Sequence, residues 1–243
     1  MTTESSGSRG QSSGTHEQSS RADEHVSRAR EHVAATARRL AAEGLLIGTA
    51  GNVSARVDDG RIAVTGTGVI LADCRAEDVT VLTPTGDHLV GHLEPTSELG
   101  LHLGVYARTP SAAIVHTHAP FSTAVSCVTG MDSLPVLHYQ QLLLGGEIRV
   151  APYATFGTPE LADLVVAGLR DRQAVLMANH GSVAVGSSLD KALDNALLLE
   201  WLAALHVRAS GVGTPRPLTE AQQHDAVVQA ITLEYGTTKE SPQ

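Results

Sequence analysis

The sequence predicts a single α/β domain, and three observations lead to this prediction. Short apolar runs bounded by Gly, Pro, Asn or Asp, typical of β-strands, alternate with stretches whose apolar residues recur about every 3.6 residues, which is typical of helices. The chain has 243 residues, of which 42% are hydrophobic, and this is enough for one large core. The chain also contains no internal repeat.

The first helix is predicted to begin at Asp23, after a disordered N-terminal tail of residues 1–22. The tail contains seven Ser and three Gly and, apart from Met1, no large apolar residue. It therefore cannot bury enough surface to offset the entropy of ordering. From Asp23 onward the apolar residues follow helical spacing, and Gly44 is placed to end the helix. We expect the folded domain to span residues 23–236 and the C-terminus at 237–243 to be flexible.

Helices and strands then alternate along the chain. Thr96 or Ser97 is placed to cap a helix that has Glu98 in its first turn, and Pro159 takes the first position of a later helix. The predicted helices cover residues 97–108, 121–128, a segment opening at 158, 189–205, and a short segment after the loop 212–217. The predicted strands cover residues 61–65, 79–82, 112–117, 136–139, 147–153, 174–178 and 182–185.

Composition and charge exclude several classes of protein. The net charge of −9 argues against a sequence-independent nucleic-acid binder, which displaces counterions with Lys and Arg. Seven aromatic residues against twelve His raise the question of metal or proton chemistry. Cys74 and Cys127 show no C-x-x-C spacing and are predicted to be free thiols in a reducing compartment. Without a spanning apolar run of about 20 residues or a secretory signal, we expect a cytoplasmic protein that does not enter a membrane.

A candidate metal site includes His116 and His118, at the end of a predicted strand. Residues two apart in a strand share a face, so both imidazoles could reach one cation. His180 lies in an N-H-G turn at a second strand end, where Gly181 allows a tight turn, and Glu98 lies at the start of a helix. Together they would suit Zn²⁺. Taken singly, the histidines could be surface, core or turn-capping residues, and Glu98 could simply stabilise its helix.

Three segments rich in Gly, Ser, Thr and Asn could bind an anion. They cover residues 48–54, 65–68 and 96–97, and they offer hydroxyls and backbone amides that can surround a phosphate without much positive charge. None of them is a dinucleotide or Walker fingerprint, and ordinary turn chemistry accounts for such residues equally well.

Five segments resemble, in this order, the class II aldolase/adducin family, and they are most similar to its L-fuculose-1-phosphate aldolase branch. They are GTAGNVSAR (48–56), TGTGV (65–69), SELGLHLGVYARTPSAAIVHTHAPFSTAVS (97–126), APYATFGTPEL (151–161) and NHGSVAVGSSLDKAL (179–193). The resemblance covers residues 23–235. It implies a three-layer domain whose central mixed, largely antiparallel sheet is flanked by helices, and a homotetramer with sites at subunit interfaces.

Site residues are implied by their positions in these motifs. The implied ligands of one Zn²⁺, or another divalent metal, per subunit are Glu98, His116, His118 and His180. The implied contacts to substrate and phosphate are Asn52, Thr67, Gly68, Thr96, Ser97 and Phe156. The implied catalytic residues are Glu98 as acid/base, Tyr139 contributed by a neighbouring subunit, and Tyr235 near the C-terminus. The turn T-G-T-G departs from the family's T-P-[ST]-G, so we expect Gly66 to loosen it.

The resemblance implies reversible cleavage of a ketose 1-phosphate, similar to L-fuculose 1-phosphate, into dihydroxyacetone phosphate and an aldehyde. Cleavage leaves an enediolate, whose charge Zn²⁺ would stabilise as a Lewis acid while Glu98 moves the proton. Alternatives are a pentulose-phosphate 4-epimerase, another sugar-phosphate lyase, or a non-catalytic adducin-like binding module. Residues 137–140 lack the acid that the epimerase branch carries. His102, one turn after Glu98, is a candidate outer partner of the site.

Overall fold

The computed structural model describes residues 12–57 and 60–234, and within these ranges one sheet of nine strands has helices packed on both faces. This confirms the predicted α/β fold with a central mixed, largely antiparallel sheet. The strands are β1 (Asn52–Arg56), β2 (Ile62–Thr65), β3 (Val79–Leu82), β4 (His88–Val90), β5 (Ala113–Thr117), β6 (Ser133–Leu134), β7 (Ile148–Ala151), β8 (Ala174–Met177) and β9 (Gly181–Gly186). The helices are α1 (Ser12–Ala42), α2 (Leu99–Arg108), α3 (Pro120–Ser126), α4 (Pro159–Gly168), α5 (Leu189–Val212) and α6 (Glu220–Thr232).

The sheet is antiparallel at every pair of neighbouring strands except β7 and β8. The strand order is β4-β3-β2-β1-β5-β9-β8-β7-β6, so that β5 lies between β1 and β9 at the centre. Asn52 lies opposite His116, which in turn lies opposite Val183. The first residues of β1, the last residues of β5 and the first residues of β9 therefore lie side by side at one end of these central strands.

Helices α1, α3 and α5 cover one face of the sheet, and α2 and α4 cover the other. Because strand side chains alternate, each central strand contributes to both cores. Val53 and Val115 pack in the core with α1 and α5, whereas Ile114 and Val183 pack in the core with α2 and α4. His116, two residues after Ile114, consequently points to the α2 face.

The predicted strand at residues 136–139 is wrong. A short strand, β6, lies earlier, and a 3-10 helix, Tyr139–Leu144, begins where the predicted strand was expected to end. Gln141 in this helix is buried, and its amide donates to the carbonyl of Leu134 at 2.9 Å. This side-chain hydrogen bond fixes the position of the 3-10 helix. The pattern of apolar residues in the sequence does not indicate such a bond.

Two strands, β1 and β4, were not predicted. Strand β1 begins in the segment that was interpreted as an anion-binding loop. It was not recognised as a strand because Asn52 and Ser54 are polar. Both are buried, and their side chains form hydrogen bonds with His102 of α2, so polar residues occupy core positions there. Strand β4 is a three-residue edge strand whose apolar residue Leu89 is exposed, so it shows no burial pattern.

The first helix begins earlier in the sequence than expected. Helix α1 begins at Ser12, eleven residues before the expected start at Asp23, and so extends into the segment predicted as a disordered tail. Residues 1–11 and the segment 237–243 lie outside the described residues. None of the helices in the described ranges is long and apolar enough to cross a bilayer.

Helix α3 directly follows the segment that carries His116 and His118, and α5 holds its first turn in place. The Glu200 carboxylate of α5 accepts hydrogen bonds from the backbone amides of Phe121 and Ser122, both at 2.8 Å. These amides belong to the first turn of a helix, where intrahelical acceptors are missing. A carboxylate 78 or 79 residues away in the sequence therefore supplies the cap.

We expect Glu200→Gln to destabilise the protein by about 1–3 kcal/mol, because one of the two carboxylate acceptors becomes an amide donor facing a backbone N–H. Urea unfolding measures this change. Asp194→Ala is the matched control, since Asp194 is exposed on the same helix, and it should change the free energy of unfolding by no more than about 0.5 kcal/mol. Equal effects of the two substitutions would contradict the capping role.

Candidate metal centre

Four potential metal ligands converge where the central strands end. His116 belongs to β5 and His118 follows it, His180 lies in the turn between β8 and β9, and Glu98 directly precedes α2. One ligand atom from each of the four lies within 4.8 Å of those of the others. The four residues are buried or half-buried. Elements distant in sequence thus supply one cluster with the composition of a metal site.

The ligand atoms face one another directly. Nε2 of His116 lies 2.9 Å from Oε2 of Glu98 and 3.0 Å from Nε2 of His118. Nε2 of His180 lies 3.3 Å from Oε1 of Glu98. Donors held tetrahedrally around Zn²⁺ lie about 3.4 Å apart, given the usual metal–ligand distances. The spacing of the cluster is therefore close to that of a metal-binding set.

The second nitrogen of His116 determines which nitrogen faces the cluster. Nδ1 donates a hydrogen bond to the carbonyl of Ser182 at 2.9 Å, which leaves Nε2 directed at the other ligands. This is the usual arrangement for a metal-binding histidine, whose outer nitrogen is held by a backbone carbonyl or a carboxylate.

Burial and neighbouring charges favour the ligating forms of two of these side chains. Burial, together with the nearby His116 and His180, lowers the pKa of His118 to about 4, so this imidazole is neutral at pH 7. Burial also raises the pKa of the Glu98 carboxyl, but interactions with His116 and His180 outweigh this effect and hold the pKa well below its usual range. A neutral imidazole and an ionised carboxylate are the forms that bind cations.

Glu98 provides the test of whether a metal fits. Its Oε1 atom is buried, and its polar neighbour Nε2 of His180, 3.3 Å away, does not meet hydrogen-bond geometry, although a buried carboxylate oxygen normally has a hydrogen-bond partner. Glu98 occupies the cap position of α2, yet its side chain makes no capping hydrogen bond. Capping of α2 by a Glu98 side-chain hydrogen bond is therefore not observed. A cation bound by three imidazole nitrogens and this carboxylate would satisfy Oε1, so the residues present fit a divalent metal.

Gly181 is needed at the cluster for a different reason from the one expected. The left-handed residue of the β8–β9 turn is Asn179, with φ of 58°, and not Gly181. A Cβ atom on Gly181 would lie 2.3 Å from the carbonyl of Thr117 and 3.0 Å from the His118 ring. Gly181 therefore allows β9 to approach the end of β5 closely, next to His118.

A cavity of about 520 Å³ opens beside the cluster and contacts Glu98, His118 and His180. His116 is fully buried and does not line the cavity. No Lys or Arg is among the described residues that line the cavity. The structure brings to this cavity all the residues predicted to bind substrate or phosphate: Asn52, Thr67, Gly68, Thr96, Ser97 and Phe156.

Backbone hydrogen bonds limit which groups could bind an anion there. The amide of Thr67 donates to the carbonyl of Glu94 at 2.9 Å, and that of Thr96 donates to the carbonyl of Thr65 at 3.1 Å. The hydroxyls of Thr67, Thr96 and Ser97 and the backbone amides of Gly68 and Ser97 are among the remaining candidate donors. The Thr96 hydroxyl accepts from the Asn52 amide at 3.0 Å, so its own proton can point into the cavity.

The turn at Gly66 is not loosened by the absence of proline. The Gly66 amide donates to the carbonyl of Asp78 at 2.8 Å, a bond that proline could not form. A Cβ on Gly66 would also lie 2.8 Å from the Leu93 side chain. The expectation of a looser turn is therefore wrong, since this backbone is fixed by a hydrogen bond and close packing.

One predicted catalytic residue, Tyr139, does not line this cavity. Tyr139 is 43% exposed, and it lies at the start of the 3-10 helix near α6 rather than beside Glu98. Tyr235 lies outside the described residues. Conversely, Thr49, Tyr153 and Asn179 line the cavity and were not singled out individually. Tyr153 could have been noticed because it stands three residues before Phe156 in the same segment.

The fold and the cluster agree with the comparison to known protein families. The sequence model described as "Class II Aldolase and Adducin N-terminal domain" matches residues 31–207, and the chain therefore belongs to the class II aldolase and adducin family.

Relatives within this family carry two kinds of name. The chain is 37% identical over 201 residues to the 5-methylthioribulose-1-phosphate/5-deoxyribulose-1-phosphate aldolase of Rhodospirillum rubrum. The aligned residues cover 82% of this chain and 88% of that protein. It is 38% identical over 195 residues to the L-fuculose phosphate aldolase of Escherichia coli, with coverages of 79% and 88%. A solved structure of an L-fuculose 1-phosphate aldolase matches with a TM-score of 0.78 and 29% identity, covering 83% of this chain and 95% of that chain.

We expect one divalent ion per chain at this cluster, and His116→Ala should abolish stoichiometric binding because the buried central ligand is lost. Elemental analysis after dialysis and calorimetric titration with Zn²⁺ measure this. His92→Ala, at an exposed histidine, is the control and should keep the full metal content. Equal metal contents in the two variants would show that the ion binds elsewhere.

Proposed function

We propose that the protein is a zinc-dependent aldolase that reversibly cleaves a ketose 1-phosphate into dihydroxyacetone phosphate and an aldehyde. The observation that carries this proposal is that the three-histidine and glutamate cluster and the anion-binding candidates share one cavity. A retro-aldol enzyme needs this combination, since the phosphate must be held while charge develops a few bonds away. The names of the relatives support the same class of reaction.

A bound divalent ion supplies Lewis-acid stabilisation of the negative charge that develops on the oxygens beside the broken carbon–carbon bond. The protein contributes the remaining functions. Hydroxyls and amides around Gly68 and Ser97 hold the phosphate as neutral donors. In the cleavage direction the bond breaks, its electron pair remains on the three-carbon fragment, and the proton of the aldehyde-side hydroxyl leaves. Glu98, which lines the cavity, would take up this proton through water and deliver a proton to the carbon of the three-carbon fragment.

The aldehyde released is the open part of the proposal. Relatives named for fuculose phosphate and for methylthioribulose or deoxyribulose phosphate are nearly equally similar to this chain, at 38% and 37% identity. Among the described residues of the cavity, Tyr153 and Phe156 are each 65% exposed and could contact the aldehyde part of a substrate. We retain an L-fuculose 1-phosphate-like ketose as the working substrate.

Incubating the zinc-loaded protein with dihydroxyacetone phosphate and a panel of aldehydes tests the reaction. L-lactaldehyde, acetaldehyde and 2-methylthioacetaldehyde represent the alternative substrates, and consumption of dihydroxyacetone phosphate is the measurement. We expect turnover with at least one aldehyde and none with the His116→Ala variant. Absence of turnover with every aldehyde, together with epimerisation of ribulose 5-phosphate, would identify an epimerase instead. Absence of metal and of both reactions would favour an adducin-like binding module.

Tyr139 is proposed to complete the site of a neighbouring subunit in a homotetramer, where its hydroxyl would stabilise the aldehyde-side oxygen, relay the proton that leaves this oxygen in cleavage and protonate it in the aldol direction. Its exposure and its distance from the cavity of its own chain are compatible with this role. We expect Tyr139→Phe to keep the metal and the tetramer while kcat falls about 100-fold or more, the usual contribution of a positioned acid. Metal content, gel filtration and turnover measure the three effects. Undiminished turnover would exclude this role for Tyr139.

A further inference from the structure

A chain of buried hydrogen bonds runs away from Glu98 between α2 and β1. The Asn52 amide nitrogen donates to Oε2 of Glu98 at 3.0 Å, and the Asn52 amide oxygen lies 2.5 Å from Nε2 of His102. Nδ1 of His102 lies 2.6 Å from the hydroxyl of Ser54, which lies 2.8 Å from the hydroxyl of Tyr106. None of Asn52, Ser54, His102 and Tyr106 is more than 4% exposed.

The chemistry of the two ends fixes the direction of every hydrogen bond in this chain. An ionised Glu98 only accepts, so Asn52 must direct its NH₂ group to Glu98 and its oxygen to His102. His102 must then carry its proton on Nε2 and accept at Nδ1 from Ser54. Ser54 in turn accepts from Tyr106. All donors therefore point toward Glu98.

Only a neutral His102 is compatible with this direction, because an imidazolium would have no acceptor for Ser54. Complete burial, with the nearby His116, lowers the pKa of His102 to about 3 and so favours the neutral ring at pH 7. The sequence makes His102 a candidate outer partner of the site, and the structure shows that its direct contacts are Asn52 and Ser54.

We propose that His102 is a positioning residue for the metal centre, which acts by locking the Asn52 amide so that Glu98 keeps one oxygen bonded and presents the other to the metal. The two oxygens of Glu98 have the corresponding environments. Oε2 accepts from Asn52 and lies 2.9 Å from Nε2 of His116, whereas Oε1 is buried, lies 3.3 Å from Nε2 of His180 and has no hydrogen-bond partner among the described residues. The proposal rests on the proposed function only in that a metal must bind to Glu98.

The orientation of the Asn52 amide is fixed from two sides. The amide oxygen and nitrogen of an asparagine are nearly equal in size, so packing alone does not select between them. Rotating the group would place its oxygen against the Glu98 carboxylate, which repels it, and against the Thr96 hydroxyl. The Glu98 carboxylate and the proton on Nε2 of His102 therefore favour the same orientation, since only an oxygen can accept that proton. Without His102 the Asn52 oxygen loses its buried donor, and the amide is held from one side only.

Zinc affinity, measured by competition with a chromogenic chelator in the absence of substrate, tests this role. We expect His102→Leu to weaken zinc binding 10–100-fold, the usual effect of losing an outer partner of a metal ligand. His102→Gln should stay within about threefold of the wild type, because its amide can donate to Asn52 and accept from Ser54. Tyr106→Phe is the matched control. It removes a buried hydroxyl from the far end of the same chain while Ser54 can still donate to His102, so zinc affinity should be unchanged.

Two results would overturn the proposal. One is a folded His102→Leu protein that binds zinc as tightly as the wild type. The other is an equal loss of affinity in Tyr106→Phe, which would indicate general loosening of the core. If His102→Leu does not fold, His102→Asn replaces it, because this shorter side chain reaches Ser54 but not Asn52, and it should bind zinc at least 10-fold more weakly than His102→Gln. None of these measurements requires turnover, so failure of the aldolase assay leaves the test of His102 intact.

Discussion

The antiparallel register of β1, β5 and β9 is the constraint on which the whole site depends. It sets Asn52 beside His116 and brings the carbonyl of Ser182 within hydrogen-bond distance of Nδ1 of His116. A shift of one residue in β5 would turn His116 to the opposite face, toward α1 and α5, and bring Val115 or Thr117, neither of which has a ligand nitrogen, to its position. The apolar alternation that fills the two cores therefore also specifies which histidine faces Glu98.

The same register places polar side chains in the core, where each of them needs a hydrogen-bond partner. Asn52, Ser54 and His116 all face α2 from core positions, where unpaired polar groups are costly. Helix α2 supplies His102 and Tyr106, one turn apart on the helix, as hydrogen-bond partners of Asn52 and Ser54. The partner of His116 is the carbonyl of Ser182. Oε1 of Glu98 is the exception among these groups, and it lies where the ligand atoms converge. Full satisfaction around one unsatisfied atom is the arrangement expected of a site built for a cation.

The sequence alone predicted the architecture more completely than it predicted individual segments. Strong apolar periodicity located α5 and β8, and alternation correctly predicted that His116 and His118 could reach a common point. Strand β1 was missed because its polar residues are satisfied by α2, about 50 residues away, and local patterns carry no information about such partners. The role of Gly181 was misjudged for a similar reason, since its constraint comes from Thr117 on a neighbouring strand rather than from its own turn. The phosphate-binding residues, Tyr139 and Tyr235 remain predictions.

Net acidity of the chain and binding of an anionic substrate are compatible in the proposed enzyme because the charge balance is local. The chain carries −9, and the described lining of the cavity includes no Lys or Arg. A divalent ion held by three neutral imidazoles and one carboxylate would leave a net charge of +1 beside the cavity. Coulomb attraction from that charge acts over a few ångströms in a site partly shielded from water, where it is strongest. Neutral hydroxyls and amides then need only to orient the phosphate, which is consistent with the choice of Gly, Ser and Thr over cationic side chains at these positions.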